Sequence, residues 1–209
     1  LFTLFINVAS LWILAVTIDD AIATRSFMSD FDIWVNSFFT LHRDYLVPSL
    51  SYWVSIIGGT EVMIALGTIA ALVLAIRKRW RSSLILLISV GGTAFATGVL
   101  KEFFLRVRPD GGLQVLGDPS FPSAHAALAA AFFVAITYLS ILRMDSWIKR
   151  ECLIALSVIL VVLIGLSRIT LGVHWASDIV AGWSLGIFCA TASILFVKYL
   201  SALVVRREM

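Results

Sequence analysis

Residues 152–178 read CLIALSVILVVLIGLSRITLGVHWASD, an apolar run that ends in a short polar stretch. The run at about 152–168 is long enough to cross the hydrocarbon core of a bilayer, which takes roughly 20 apolar residues. Five more runs of this kind predict spans at about 1–18, 60–76, 82–100, 123–142 and 178–197.

The composition also indicates a membrane protein. The 209 residues are 60% hydrophobic and only 14% charged, and the mean hydropathy is +1.00. A water-soluble domain of this size needs far more polar surface. We therefore predict an all-α integral membrane bundle of six transmembrane helices, in a single domain over residues 1–209 without internal repeats.

The first predicted span has neither a basic start nor a small-residue cleavage site, so we expect it not to be a removable signal peptide. Because the sequence begins at Leu1 inside an apolar run and without a methionine, we expect a trimmed chain or part of a longer protein. Cys152 and Cys189 show no metal or redox spacing, and we interpret them as packing residues. The segment GWSLG at 182–186 is a pattern of small residues that predicts close helix packing.

The basic residues predict the orientation in the membrane. Ten of the sixteen lie on one side of the predicted spans, namely Arg77, Lys78, Arg79, Arg81, Arg143, Lys149, Arg150, Lys198, Arg206 and Arg207. This side, with both termini, is expected to face the cytoplasm, because cytoplasmic loops carry the excess of Lys and Arg. The topology accounts for the net charge of +3 without a nucleic-acid partner, and the outward segments become about 19–59, 101–122 and 169–177.

Residues 30–47, DFDIWVNSFFTLHRDYLV, predict a further helix in the outer membrane interface. Its apolar residues recur at helical spacing, at Phe31, Trp34, Phe38 and Leu41. Ser29 and Asp32 suggest an N-terminal cap. Both a lip beside a membrane-level site and a simple aromatic anchor fit this pattern. We interpret His42 as a structural residue.

Polar residues gather at the outer ends of the spans. Six basic residues remain on this side, namely Arg25, Arg43, Lys101, Arg106, Arg108 and Arg168, and His125, His174 and Asp178 join the last four. Antiparallel spans place the ends of the third and fifth at the level of the beginnings of the fourth and sixth. Snorkelling towards lipid headgroups explains one or two cations, Arg106 for example. It does not explain the histidines and the aspartate, and ionisable residues at membrane depth indicate function.

This mixture of cations and histidines predicts a phosphate site, since arginine holds phosphate oxygens in fork geometry. Pro122 and Ser123 mark a helix start, where free N–H groups and the helix dipole favour an anion. The hydroxyl of Ser123 and the N–H of Ala124 are expected to point at one phosphate oxygen.

The two histidines suggest the chemistry. Asp178 follows His174 by four residues, so its carboxylate can hold one ring nitrogen and leave the other free to attack phosphorus. His125 can protonate the leaving alcohol, a contribution of about 10²–10⁴-fold. The two histidines with Asp178 also match a metal triad, but the surrounding cations would repel a divalent ion. We therefore expect no metal and no other cofactor.

These residues resemble the motifs of the type 2 phosphatidic acid phosphatase, or lipid phosphate phosphatase, superfamily. The motifs are Lys101 with six residues before Arg108-Pro109, PSAH at 122–125, and Ser167-Arg168, five residues, His174, three residues and Asp178. The resemblance covers about 82–197. It implies His174 as nucleophile, Asp178 as its partner and His125 as general acid, with the phosphate held by Lys101, Arg108, Ser123 and Arg168. Ala124 stands where the family commonly has glycine, so a methyl group crowds the phosphate.

We therefore expect a metal-independent membrane phosphatase that acts on a lipid phosphomonoester or diphosphate at the extracytoplasmic face of the plasma (inner) membrane. The resemblance implies phosphatidylglycerol phosphate, phosphatidic acid or undecaprenyl diphosphate as substrate, without choosing among them. A phosphotransferase with a lipid or sugar acceptor and a non-enzymatic lipid or anion transporter stay open as alternatives. The sequence does not indicate an oligomeric state.

Overall fold

The computed structural model describes residues 1–22, 27–42 and 46–207, and these form eight helices. The helices are α1 (Phe2–Ile22), α2 (Phe27–Leu41), α3 (Leu46–Ile57), α4 (Thr60–Ile76), α5 (Trp80–Phe104), α6 (Ala124–Ile141), α7 (Trp147–Thr170) and α8 (Ala176–Arg207). The prediction of an all-α fold is confirmed. Arg25 and Arg43, expected on the outer side, lie outside the described residues.

Six segments of the described chain are long and apolar enough to cross a membrane, which confirms the predicted six spans. They are Phe2–Asp20, Leu46–Ile76, Trp80–Phe104, Ala124–Ile141, Trp147–Thr170 and Ala176–Leu203. The second span begins earlier than the predicted residue 60. Residues 46–57 were expected in an outward segment, but they form α3, where Pro48 lies in the first turn and costs no helical hydrogen bond.

The break between α3 and α4 occurs at Gly58 and Gly59. A Cβ atom at Gly58 would lie 2.5 Å from Cγ1 of Ile164 in α7. The absence of a side chain at this position therefore lets the chain approach α7 closely. This contact brings Ser55, one turn earlier in α3, beside the C-terminal end of α7.

Helix α8 is the centre of the bundle and packs against α6, α1 and α5. Its contact with α6 depends on small residues, since a Cβ atom at Gly182 would lie 2.6 Å from the carbonyl oxygen of Ser123 and one at Gly186 would overlap that of Ala127. The facing side of α6 is buried and rich in alanine. Close van der Waals packing of this kind drives helix association in lipid. The segment at 182–186 is therefore the packing element that the sequence predicted.

Helix α2 has 15 residues and is about 22 Å long, too short for a hydrocarbon core of about 30 Å. It packs against α1, α7 and α8. The rings of Phe31, Trp34 and Phe38 are exposed on one face, with centroids 6.1 and 6.2 Å apart along the series. The additional non-spanning helix is thus present, but it ends at Leu41 instead of residue 47, and residues 46 and 47 belong to α3.

The predicted cap of α2 is wrong. The helix begins at Phe27, so Ser29 and Asp32 lie inside it. Asp32 is buried on the face that packs against the bundle, because its carboxylate has partners there. His42 follows α2, where its Nδ1 donates to the carbonyl oxygen of Phe38 at 2.8 Å.

The packing of α6 on α8 can be tested with Gly186→Ala. Alanine usually stabilises a helix relative to glycine by about 1 kcal/mol, but overpacking costs about 1–3 kcal/mol. We expect the new methyl group to press on Ala127 and Ala130 and to lower the midpoint of thermal unfolding in detergent micelles. Gly91→Ala in α5 is the matched control, because no atom lies within 4 Å of the added Cβ, and its midpoint should be unchanged or higher. Equal midpoints for the two variants would contradict this account.

Candidate active site

Four helix ends meet at one level of the bundle, as the alternation of the spans predicted. Lys101 lies in the last turn of α5, His125 in the first turn of α6, Arg168 in the last turn of α7 and Asp178 in the first turn of α8. The loop of residues 105–123 connects α5 to α6 across this level and supplies Arg108. The structure therefore brings together residues that are as much as 77 positions apart, from 101 to 178.

The turn of residues 171–175 holds His174 against Asp178. Gly172 adopts a positive φ of 68° in this turn, which glycine accommodates without strain. Nδ1 of His174 donates to Oδ2 of Asp178 at 3.3 Å, and the N–H of Trp175 donates to the same oxygen at 2.9 Å. Since α8 begins only at Ala176, the turn rather than the helix makes the expected contact at four-residue spacing.

The other ring nitrogen of His174 faces Arg108. Nη1 of Arg108 lies 3.2 Å from Nε2 of His174, and a guanidinium can only donate, so Nε2 accepts with its lone pair. Burial lowers the pKa of His174 to about 4, although the hydrogen bond and charge of Asp178 act to raise it. The imidazole is therefore neutral near pH 7, with its proton towards Asp178 and a basic nitrogen towards Arg108.

Lys101 and Arg108 converge on a carboxylate that was not predicted from the sequence. Nζ of Lys101 lies 2.6 Å from Oδ2 of Asp118, and Nη2 of Arg108 lies 2.8 Å from Oδ1. Burial by itself raises the pKa of Asp118, but the hydrogen bonds and charges of Lys101 and Arg108 prevail and lower it to about 2. The signal in the sequence was an acid four residues before the PSAH motif. Two of the predicted phosphate-binding cations thus already hold an anionic group.

Arg168 is buried, and no acidic side chain of the described residues forms a salt bridge with it. Its Nη1 donates to Oγ of Ser55 from α3 and, at 3.4 Å, to Oε1 of Gln114. Ser55 and Gln114 were not predicted from the sequence, because neither belongs to a charged or histidine pattern. Nε of Arg168 and Oγ of Ser123 are buried without a partner, and they are two of four such side-chain atoms in the described part of the chain. An unpaired buried polar atom costs about 1–3 kcal/mol, so both atoms are available to a ligand.

Ser123 and His125 begin α6 at the edge of this cluster. Ser123 precedes the helix, its N–H donates to the carbonyl oxygen of Asp178 at 3.1 Å, and its side chain does not cap the helix. The next residue, Ala124, starts α6, where N–H groups lack intrahelical partners. His125 is half-buried and interacts electrostatically with Arg168, His174, Lys101 and Arg108.

Arg106 does not extend to the lipid headgroups, and the interpretation as a snorkelling side chain is wrong for it. Its Nη1 lies 2.6 Å from Oδ1 of Asp178, and its Nη2 lies 2.8 Å from Oδ2 of Asp32. Burial alone would lower the pKa of Arg106, but the charges of Asp178 and Asp32 raise it. The guanidinium also lies 5.8 Å from the ring centroid of Trp175.

The donors of the site do not form a metal-binding cluster. Across residues 1–22, 27–42 and 46–207, no group of three His, Cys, Asp or Glu side chains is arranged to hold a metal ion. The metal independence of the reaction stays a prediction. A cavity of about 500 Å³ opens beside the loop, with Arg106, Arg108 and Asp118 in its wall.

Comparison with known proteins identifies relatives of this arrangement. Residues 82–202 match the PAP2 superfamily. The chain is 36% identical over 113 residues to phosphatidylglycerophosphatase B of Bacillus subtilis (53% of this chain, 55% of the relative). It is 36% identical over 77 residues to an undecaprenyl-diphosphatase of Sulfolobus acidocaldarius (37% of this chain, 33% of the relative). The aligned region thus spans about half or less of each relative's length.

Two solved structures share the fold. A transmembrane PAP2-type phosphatidylglycerolphosphate phosphatase from Bacillus subtilis superposes with a TM-score of 0.79 at 24% identity, over 94% of this chain and 96% of that one. LpxE of Aquifex aeolicus superposes with a TM-score of 0.63 at 23% identity, over 83% of this chain and 98% of that one. Residues 82–202, which match the superfamily, contain all three motifs. The fold is that of a multi-pass membrane protein. The chain belongs to the PAP2 superfamily.

Proposed function

We propose that this chain is a membrane-integral phosphatase that hydrolyses a lipid phosphomonoester or diphosphate through a phosphohistidine intermediate. The observation that carries this proposal is the state of His174. Asp178 holds one ring nitrogen, and the other lies 3.2 Å from Nη1 of Arg108. Nε2 of His174 can attack phosphorus as the nucleophile, and the guanidinium of Arg108 beside it can hold the phosphoryl group under attack.

Binding begins with the replacement of Asp118. The substrate phosphate takes the place of this carboxylate on Lys101 and Arg108, which are donors suited to phosphate oxygens. Nε of Arg168 and the hydroxyl of Ser123 supply two more donors, since neither has a partner among residues 1–22, 27–42 and 46–207. The N–H of Ala124 at the start of α6 adds a helix N-terminus, which favours an anion.

Phosphoryl transfer then proceeds in two steps. Nε2 of His174 forms a bond to phosphorus while the P–O bond to the lipid breaks, and the leaving oxygen takes a proton from His125. His125 enters this step as the imidazolium, because the bound phosphate supplies the opposing negative charge. Asp178 stabilises the positive charge that the imidazole ring acquires. In the second step a water molecule gives a proton to His125 and attacks phosphorus, the P–N bond breaks, and phosphate leaves. The cations stabilise the transferring group in both steps.

The substrate is a lipid phosphate, and we place phosphatidylglycerol phosphate first. A relative named for this activity aligns over 53% of the chain. Phosphatidic acid and undecaprenyl diphosphate are the other two candidates, the latter supported by the second relative.

A phosphotransferase would use the same intermediate with a lipid or sugar hydroxyl in place of water. A transporter would have no need of the His174–Asp178 pair.

The site is proposed to face the extracytoplasmic side of the plasma membrane. The connection between α4 and α5 and the one between α6 and α7 lie at the end of the bundle opposite to the site, and they carry Arg77, Lys78, Arg79 and Arg143. This excess of positive charge supports a cytoplasmic location for that end.

Replacing the nucleophile tests the mechanism. His174→Ala is expected to reduce phosphate release from a panel of lipid phosphates by about 10³-fold or more, because it removes the nitrogen that is proposed to bond to phosphorus. The reaction of the purified wild-type protein should persist in a chelator. His42→Ala is the matched control outside the site and should retain wild-type turnover. Full activity of His174→Ala would disprove the nucleophile assignment, and loss of activity in chelator would favour the metal triad.

The role of Asp118 predicts a change in substrate affinity. Asp118→Asn removes a charge that competes with phosphate for Lys101 and Arg108. We expect KM for the lipid phosphate to fall several-fold, about the effect of 1 kcal/mol, and the inhibition constant of inorganic phosphate to fall with it. Since the pKa of Asp118 is about 2, the carboxylate is ionised throughout pH 5–8, and the ratio of the two KM values should not vary there. Asp110→Asn in the same loop is the control, and an equal KM in both variants would contradict the competition.

Cysteine labelling tests the orientation. In a background with Cys152→Ser and Cys189→Ala, Gly117→Cys places a thiol in the loop beside the site, where an added Cβ meets no atom within 4 Å. We expect an impermeant maleimide to label it in intact cells. Asp145→Cys, in the exposed connection between α6 and α7, should react only after lysis. The reverse pattern would place the site on the cytoplasmic side.

A further inference from the structure

We propose that Asp32 of α2 is a positioning residue for the reaction, because it neutralises Arg106 and so leaves the negative charge of Asp178 to His174. This inference rests on the proposed phosphatase function. It concerns a residue outside positions 82–202, the part of the chain that matches the superfamily.

The carboxylate of Asp32 accepts hydrogen bonds from Ser177 and Arg106, which both lie beside Asp178. Oδ1 of Asp32 accepts from the N–H of Ser177 at 2.8 Å, and Oδ2 accepts from its hydroxyl at 2.5 Å. Oδ2 also accepts from Nη2 of Arg106 at 2.8 Å. The residue is only 1% exposed. Asp32 therefore joins α2 both to the first turn of α8 and to the loop after α5.

Arg106 lies between two carboxylates. While Nη2 pairs with Asp32, Nη1 pairs with Oδ1 of Asp178 at 2.6 Å and also donates to the hydroxyl of Ser177 at 2.7 Å. The other oxygen of Asp178 accepts from Nδ1 of His174 and from the N–H of Trp175. One cation and two carboxylates carry a net charge of −1, so a negative charge is left to act on His174.

Removing the charge of Asp32 would change the net charge of the cluster around His174. Without the carboxylate of Asp32, Arg106 would pair with Asp178 alone and the cluster would be neutral. A neutral cluster stabilises a positively charged imidazole less well, and the difference is large where burial excludes water. The charge on the ring appears when His174 bonds to phosphorus. The loss should therefore fall on turnover rather than on substrate binding, which uses Lys101, Arg108 and Arg168.

The first experiment compares Asp32→Asn with Asp30→Asn, the same substitution at an exposed position of the same helix. Phosphate release is measured with a lipid phosphate in detergent micelles. We expect kcat of Asp32→Asn to fall about 10- to 100-fold while KM stays within about twofold, and Asp30→Asn to match the wild type. Wild-type kcat in Asp32→Asn would overturn the proposal, and so would a loss confined to KM.

A second variant separates charge balance from a simple structural link between helices. Asp32→Asn combined with Arg106→Gln removes one charge of each sign and restores the net charge of −1. We expect its kcat to exceed that of Asp32→Asn severalfold. If Asp32 only links α2 to α8, the double variant loses further contacts and its kcat is equal or lower, which would overturn the proposal.

Two further outcomes are distinguishable. If Asp32→Asn does not yield folded protein, Arg106→Gln takes its place, because it changes the net charge of the cluster from −1 to −2. The lower pH limit of kcat, which is set by protonation of His174, should then shift to higher pH, and an unshifted limit would overturn the inference. If wild type and Asp30→Asn release no phosphate from any lipid phosphate, the proposed function itself fails. An active wild type with an equally active Asp32→Asn disproves only the role of Asp32.

Discussion

The buried carboxylate of Asp178 is the constraint on which the rest of the site depends. It is fully buried at the start of α8, and a charge in such a position requires paired partners. The partners are His174, the N–H of Trp175 and Arg106. These partners fix two different parts of the chain: His174 and Trp175 lie in the turn after α7, and Arg106 lies in the loop after α5. The geometry of the histidine is therefore a consequence of satisfying one anion.

The depth of this anion is set by helix packing. Gly182 and Gly186 let α8 approach α6 so closely that added Cβ atoms would reach carbonyl oxygens of the facing chain. This approach also brings the N–H of Ser123 within 3.1 Å of the carbonyl oxygen of Asp178. The start of α6, with its unpaired hydroxyl, is thus held at a fixed distance from the start of α8. Small residues inside the bundle thereby determine the shape of a polar site at its end.

The spans and the shared level of Lys101, His125, Arg168 and Asp178 were predictable, because apolar length and the alternation of antiparallel helices determine them. The partners of the cations were not predictable. Asp32 and Arg106 are 74 positions apart, and a periodic pattern shows which face of α2 is apolar but not which loop packs against the other face. A pattern that fits a helix cap also fits a buried acid, and only the tertiary contacts distinguish the two.

The exposure of the three carboxylates distinguishes their roles. The side chain of Asp118 is 55% exposed, whereas those of Asp32 and Asp178 are 2% and 0% exposed. An exposed carboxylate can leave its cations and regain water, which agrees with the proposed displacement of Asp118 by an incoming phosphate. A buried carboxylate has no water to return to, so under the proposed mechanism Asp32 and Asp178 keep Arg106 when substrate binds. The cations therefore fall into two sets, because Lys101 and Arg108 can exchange their anion while Arg106 cannot. In the described part of the chain Arg168 has neutral hydrogen-bond partners and an unpaired Nε. Under the proposed mechanism it therefore needs no exchange of anion to bind the phosphate.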